Sequence, residues 1–207
     1  RRSFRYFGNL IKMMPPRITF FGTPEYSIIV ANTLFEAGFT LVCIVTKPPR
    51  PVGRKQLPTP TPMAKWSNSK KLPTILLPGS SEKPWLFADE SEITKQVINY
   101  RPDILISADY TQKIPMELVK QTKLGGLNVH PSLLPAYRGP APVPWAILNG
   151  ETETGVSIVT LSEHFDSGIV ISQEKDSILP TDTSNILLKR LFEIGAALIV
   201  KILPSFT

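Results

Sequence analysis

Apolar positions along this chain switch between two periods, and the switches mark its elements. Residues 17–21, Arg-Ile-Thr-Phe-Phe, form a short apolar run ended by Gly22-Thr23-Pro24, which predicts a first strand. Ile28, Ile29, Ala31, Leu34 and Phe35 then recur at helical spacing as far as Gly38. A helix is therefore expected, with Thr23 as its cap and Pro24 in its first turn. Residues 41–45 are apolar throughout and predict a second strand, so the first unit is a parallel pair joined by a right-handed crossover. Between residues 47 and 62 stand Pro48, Pro49, Pro51, Pro58, Pro60 and Pro62, which exclude helix and inner strand and predict an exposed, semi-rigid loop. Further on, the pattern predicts a short helix over 63–69, strands over 74–77, 104–106 and 124–129, and a helix over 91–100. Alternation at Val156, Ile158 and Leu161 gives a strand over 154–161, with an antiparallel partner over 168–174. Thr181 to Ser184 caps a last helix that runs to about residue 203. Strands alternating with helices and followed by a hairpin make the fold class α/β. The sheet should be doubly wound and mostly parallel, with the antiparallel hairpin near the carboxy-terminal end.

Composition agrees with one ordered core. The chain has 207 residues, 42% of them hydrophobic and 19% charged. No apolar run approaches the roughly 20 residues that a membrane helix needs. Cys43, the single cysteine, lies inside an apolar strand and reads as a packed core thiol. One cysteine excludes an internal disulfide framework, and two histidines at this spacing suit no standard zinc motif, so no metal is expected.

The net charge of +6 changes the picture only through its placement. No acidic residue falls between Glu36 and Glu82, while Lys47, Arg50, Arg54, Lys55, Lys65, Lys70 and Lys71 all do. That stretch is suited to an anionic partner. Arg1, Arg2, Arg5, Lys12 and Arg17 likewise stand without an acid among them, interleaved with Phe4, Tyr6 and Phe7. Residues 1–16 are thus expected to be a basic extension of mitochondrial-targeting type. The expected location is the mitochondrial matrix, or the cytoplasm if the extension has no import role.

Candidate chemistry concentrates in residues 128–142, Asn-Val-His-Pro-Ser-Leu-Leu-Pro-Ala-Tyr-Arg-Gly-Pro-Ala-Pro. On a strand, Asn128 and His130 share a face. An amide donor beside an imidazole suits the oxyanion of an acyl-transfer intermediate. His130 needs a partner to orient it, and Asp166, at the tip of the expected hairpin, is the best candidate. Gly168 would let that turn pass close to a ligand. His164 is a rival base or ligand, and Arg138, between a proline-rich turn and Gly139, is placed to frame a pocket.

These residues resemble the folate-dependent formyltransferases, whose shared pattern is Asn-x-His, then Ser-Leu-Leu-Pro, then an Asp-x-Gly turn. Here they are Asn128 and His130, Ser132 to Pro135, and Asp166 with Gly168; Asp166 follows His130 by 36 residues, the family's usual spacing. Within the family the chain is most similar to the branch whose acceptor is methionyl-tRNA. That likeness rests on Phe20 to Pro24, the Arg50-Pro51-Val52-Gly53-Arg54 loop, Tyr137 to Pro142 and Gly150 to Val156, and it spans roughly 17–203. The resemblance implies a donor, 10-formyltetrahydrofolate, and an acceptor, the α-amine of initiator methionyl-tRNA, used by a monomer without metal or membrane. It implies that Asn128, His130 and Asp166 are catalytic. Ser132, Leu133, Leu134, Pro135, Tyr110 and Ile114 would hold the donor, and Arg50, Arg54, Lys55 and Arg138 would meet tRNA. Thr111 stands where the family's donor loop has glycine, and a left-handed backbone there would strain a threonine. Residues 17–207 are expected to be the catalytic domain, without the family's carboxy-terminal β-barrel domain. The alternatives are a sugar-nucleotide formyltransferase, a formyltetrahydrofolate hydrolase domain, or a non-catalytic folate- or RNA-binding remnant.

Overall fold

A computed structural model describes residues 15–206 of the chain. Apart from Pro15 and Pro16, the expected basic extension lies outside the described residues. In chain order the elements are β1 (Arg17–Phe21), α1 (Glu25–Glu36), β2 (Thr40–Thr46), β3 (Arg50–Val52) and β4 (Leu57–Thr59). Next come α2 (Pro62–Ser69), β5 (Thr74–Leu76), α3 (Glu90–Ile98), β6 (Ile104–Ala108) and α4 (Met116–Lys120). The last third holds β7 (Gly126–His130), α5 (Pro142–Leu148), β8 (Glu153–Thr160), β9 (Val170–Ser177) and α6 (Ser184–Ile202).

Seven strands form one sheet in the order β5-β2-β1-β6-β7-β8-β9. All pairings from β5 to β7 are parallel, and β8 is antiparallel to both its neighbours. The chain winds outward from β1 through β2 to β5, then returns to the other side of β1 with β6. The carboxyl ends of the strands beside that reversal are where open sheets of this kind bind ligands.

Period-2 alternation decides which face each side chain takes. Ile18 and Phe20 of β1, Ile104 and Ile106 of β6 and Leu127 and Val129 of β7 pack in one cluster with Leu34 of α1 and Phe192 and Ile199 of α6. Phe21 and Leu105 pack on the other side with Ile93 and Val97 of α3 and Leu118 of α4. Asn128 and His130 alternate with Leu127 and Val129, so they are turned away from α1 and α6, toward the side of α3 and α4. Cys43 is fully buried in that second cluster, and burial pushes its thiol up to about 12. It is a core thiol with no thiolate character near neutral pH.

Two local expectations need correcting, and two elements carry no sequence signal. The proline-rich segment is not a loop: β3 and β4 pair antiparallel as a separate exposed hairpin, with Pro51 opposite Pro58. Both strands are edges, so prolines without an N–H are tolerated there. Thr23 does not cap α1, because the cap position is Pro24 and the buried Thr23 hydroxyl has no partner among the described residues. Ser27 instead donates to the Pro24 carbonyl at 2.6 Å. Finally, α4 and α5 had no clear sequence signal. Each is short, and α5 opens on Pro142, where the missing N–H costs nothing.

The junction between β9 and α6 is held by a single guanidinium. Arg190 donates to both oxygens of Asp182 at 2.9 and 2.7 Å, to Asp176 at 2.6 Å and to the Ser177 carbonyl at 2.8 Å. The Arg190 hydrogen bonds, helped by the Leu179 N–H, hold the Asp182 carboxyl down at about 2. A carboxyl depressed in the folded state stabilises above its unfolded value, about 3.9, and loses that contribution as pH falls through about 2. Urea midpoints of the parent protein should therefore drop between about pH 4 and 2 by more than those of Arg190→Ala. Parallel midpoint curves would contradict this role.

Candidate functional site

Asp166 is the hub of the site. It sits in the β8–β9 connection with a left-handed backbone (φ 53°) and a side chain only 8% exposed. Its Oδ1 accepts Asn128 Nδ2 at 3.0 Å. Its Oδ2 accepts the Gly139 N–H at 3.0 Å and lies 3.4 Å from His130 Nδ1. Three donors converge on one enclosed carboxylate. The strand end thus brings Asn128 and His130 to the same acid, as their shared face requires.

The two partners do different things. The Asn128 carbonyl oxygen accepts the Ser107 hydroxyl at 2.8 Å, which fixes the amide so that its nitrogen faces Asp166. One N–H of that nitrogen is left over, and Asn128 is part of a cavity wall. His130 lies behind it, 5% exposed, with Nε2 2.9 Å from the Tyr137 carbonyl. A carbonyl oxygen cannot donate and Nδ1 faces a carboxylate, so the ring satisfies both neighbours when both nitrogens carry protons. The expected side-by-side pair of donors is therefore an amide in the wall with an imidazole behind it. The reason is the turn at residues 137–139, which folds over the ring as β7 ends.

That turn was undervalued by sequence reasoning. Tyr137 and Gly139 both have positive φ (54° and 84°), and their backbone atoms meet His130 and Asp166 respectively. Gly139 after Arg138 is the sequence signal for that turn, and its backbone rather than the Arg138 guanidinium meets the site. Arg138 itself is exposed, outside the cavity lining, and makes no hydrogen bond or ion pair among the described residues.

The cavity beside Asn128 is graded from inside to outside. Buried Ser107 and Gln112 join Asn128 and Asp166 at its inner end. Tyr110, Ile114, Val159 and Leu161 form apolar walls, and Lys113, His164 and the exposed Phe165 lie toward solvent. Burial raises the Tyr110 phenol above its ordinary value. Asp109, just before it, is pushed up to about 6 by burial and then by Glu25.

Of the residues expected to hold a donor, Tyr110 and Ile114 line this cavity and Ser132, Leu133, Leu134 and Pro135 do not. Ser132 is buried and donates to the Ala136 carbonyl at 2.7 Å; the Leu134 N–H donates to Ser157 at 3.0 Å. Leu133 lies against Gly155, and Pro135 is exposed after a cis Leu134–Pro135 bond. The segment shapes the turn behind the site rather than the cavity wall. Gly168 also acts differently from expectation: a Cβ there would stand 1.9 Å from the Thr160 carbonyl, so the glycine lets the turn close on β8, not on a ligand. Thr111 is not left-handed; the positive φ in this loop falls on Asp109 (47°).

Arg50, Arg54 and Lys55 are exposed on the β3–β4 hairpin, away from this cavity. Lys47, at its foot, is held below its ordinary value by burial and then by Arg50. Among the described residues, no group of three His, Cys, Asp or Glu is placed to hold a metal ion. Nor is any described helix long and apolar enough to cross a membrane.

Comparison with known proteins places this geometry. The sequence profile of a family described as "Formyl transferase" matches residues 17–203. The methionyl-tRNA formyltransferase of Halalkalibacterium halodurans is 38% identical over 188 residues, 91% of this chain and 57% of that protein. Its counterpart in Listeria monocytogenes is 40% identical over 190 residues, 92% of this chain and 58% of that protein. The chain thus spans somewhat over half the length of the curated relatives it matches. Among solved structures, phosphoribosylglycinamide formyltransferase from Bacillus halodurans superposes with a TM-score of 0.72 at 23% identity, covering 91% of this chain and 94% of that one. A formyltetrahydrofolate deformylase from Pseudomonas syringae gives 0.74 at 16% identity, covering 93% of this chain and 62% of that one. At such identities these two matches establish the fold alone.

Proposed function

The chain belongs to the formyl transferase family, and from that premise we propose that it moves the formyl group of 10-formyltetrahydrofolate to the α-amine of initiator methionyl-tRNA. The observation that carries the chemistry is the Asp166 carboxylate, gripped by Asn128, Gly139 and His130 at the inner end of a cavity. The names and identities of the bacterial relatives support this acceptor.

The cavity suits such a donor. Gln112 is 1% exposed, its Oε1 accepts the Tyr110 hydroxyl at 3.0 Å, and its Nε2 has no partner among the described residues. An orphaned amide donor beside a polar floor and apolar walls fits a flat heterocycle edged with acceptors. When an amine attacks a formyl carbon, the carbonyl oxygen becomes negative. The spare Asn128 N–H donates to that oxygen. His130, set between the Tyr137 carbonyl and Asp166, holds that carboxylate in place. Asp166 takes up the proton released by the amine, directly or through water, and the nitrogen that loses the formyl group is reprotonated as the new amide forms.

Arg50, Arg54 and Lys55 serve as phosphate contacts on the acceptor side, together with Arg138 at the 137–139 turn. The acid-free stretch that carries Lys47, Arg50, Arg54 and Lys55 supports the hairpin's part in this role. The Arg-rich, acid-free run 1–17 supports a mitochondrial address.

The deciding experiment offers the protein 10-formyltetrahydrofolate with methionyl-tRNA, an amino-sugar nucleotide or water in parallel. Formylated methionyl-tRNA is the expected product; formate release alone, or a formylated sugar, would replace this reading. Arg54→Ala with Lys55→Ala should then weaken tRNA binding and flatten its salt dependence by roughly two counterions. An unchanged salt slope would remove the hairpin from the interface.

A further inference from the structure

We propose that Lys113 is a carboxylate receptor at the cavity rim, one that holds Glu163 in the free protein and exchanges it for the glutamate tail of the folate donor. The inference rests on the cavity being the donor site. Among the described residues, Lys113 is the one lysine or arginine in the cavity lining. Its ammonium lies 3.3 Å from Glu163, and that pair bridges the two loops forming the cavity, the one after β6 and the one between β8 and β9.

The pair is built to be exchanged. The Lys113 backbone is fixed, since its N–H donates to the Trp85 carbonyl at 2.7 Å. The side chain is 29% exposed while Glu163 is 65% exposed. A partner so open to water contributes little, because solvent screens it and ordering two long side chains costs entropy. A ligand carboxylate delivered by an already bound ring system needs no such ordering of its own.

Charge along the cavity also sets the direction of entry. The inner end holds neutral amides and an Asp166 carboxylate already satisfied by its own donors, which leaves no cation for a carboxylate tail and suits a neutral heterocycle. The outer end holds Lys113 with His164 and the exposed Phe165 beside it. An elongated ligand with one neutral and one anionic end is therefore oriented head inward and tail outward.

The test is calorimetric titration with two stable probes. One is 10-formyl-5,8-dideazafolate; the other has its glutamate replaced by a methylamide and so carries no carboxylate. The parent protein should prefer the glutamate form by about tenfold. Lys113→Met should lose most of that preference while binding the methylamide form as the parent does. Glu163→Gln should tighten the glutamate form, because the competing partner is gone. A parent that binds both probes equally, or an unchanged preference in Lys113→Met, overturns the exchange. A parent that binds neither probe overturns the donor-site reading itself, and this inference with it. Both positions are solvent-facing, so neither substitution touches the core.

Discussion

Asp166→Asn should lower kcat for formyl transfer by on the order of 10³-fold with the fold retained. The carboxylate meets only donors: Asn128 Nδ2, the Gly139 N–H and His130 Nδ1. An asparagine amide must turn its own NH₂ toward one of them, leaving two donors face to face in an enclosed site. The proton acceptor is lost, and so is the carboxylate oxygen that faces His130 Nδ1. Single-turnover rates with saturating donor measure this, with near-ultraviolet circular dichroism as the check on folding. A loss below about tenfold would mean that the hub is structural rather than catalytic.

Asn128→Ala should cost roughly 2.7–4 kcal/mol of barrier, or about 10²- to 10³-fold in kcat. Asn128 is the one member of the trio that combines a spare N–H with a place in the cavity wall. The effect should fall on kcat with little change in the KM for donor, since the oxygen it serves becomes negative only in the transition state. Retention of near-full turnover would remove Asn128 from the chemistry. Because the substitution also frees one Asp166 oxygen, it should not be additive with Asp166→Asn; the double variant should lose about as much as Asp166→Asn alone.

Much of the framework was legible in the sequence. The apolar run at 17–21 and the alternation at 154–161 matched strands to within a residue or two because both patterns repeat locally. The Thr183 cap of α6 was also visible, and its hydroxyl accepts the Ile186 N–H. The β3–β4 hairpin was missed because proline signals exclude only inner strands. A two-stranded ribbon with both edges free escapes that rule. The cap of α1 was misplaced by one residue because Thr23 and Pro24 both suit a helix start, and only the backbone path chooses between them.

For the site, the sequence by itself determined that Asn128 and His130 share one face of a strand and that an acid at 166 is their natural partner. Strand periodicity fixes the first fact, and the resemblance supplied the second. It also singled out Tyr110 and Ile114, which line the cavity. Only the tertiary structure decided that Asn128 is in the cavity wall and His130 behind it, that Ser132 to Pro135 shape a turn, and that Lys113 reaches across to Glu163. The reason is physical. Side-chain direction follows from local backbone geometry, which a sequence encodes every second residue. Which side chain reaches a cavity instead depends on how loops separated by tens of residues fold over one another, and no local period records that.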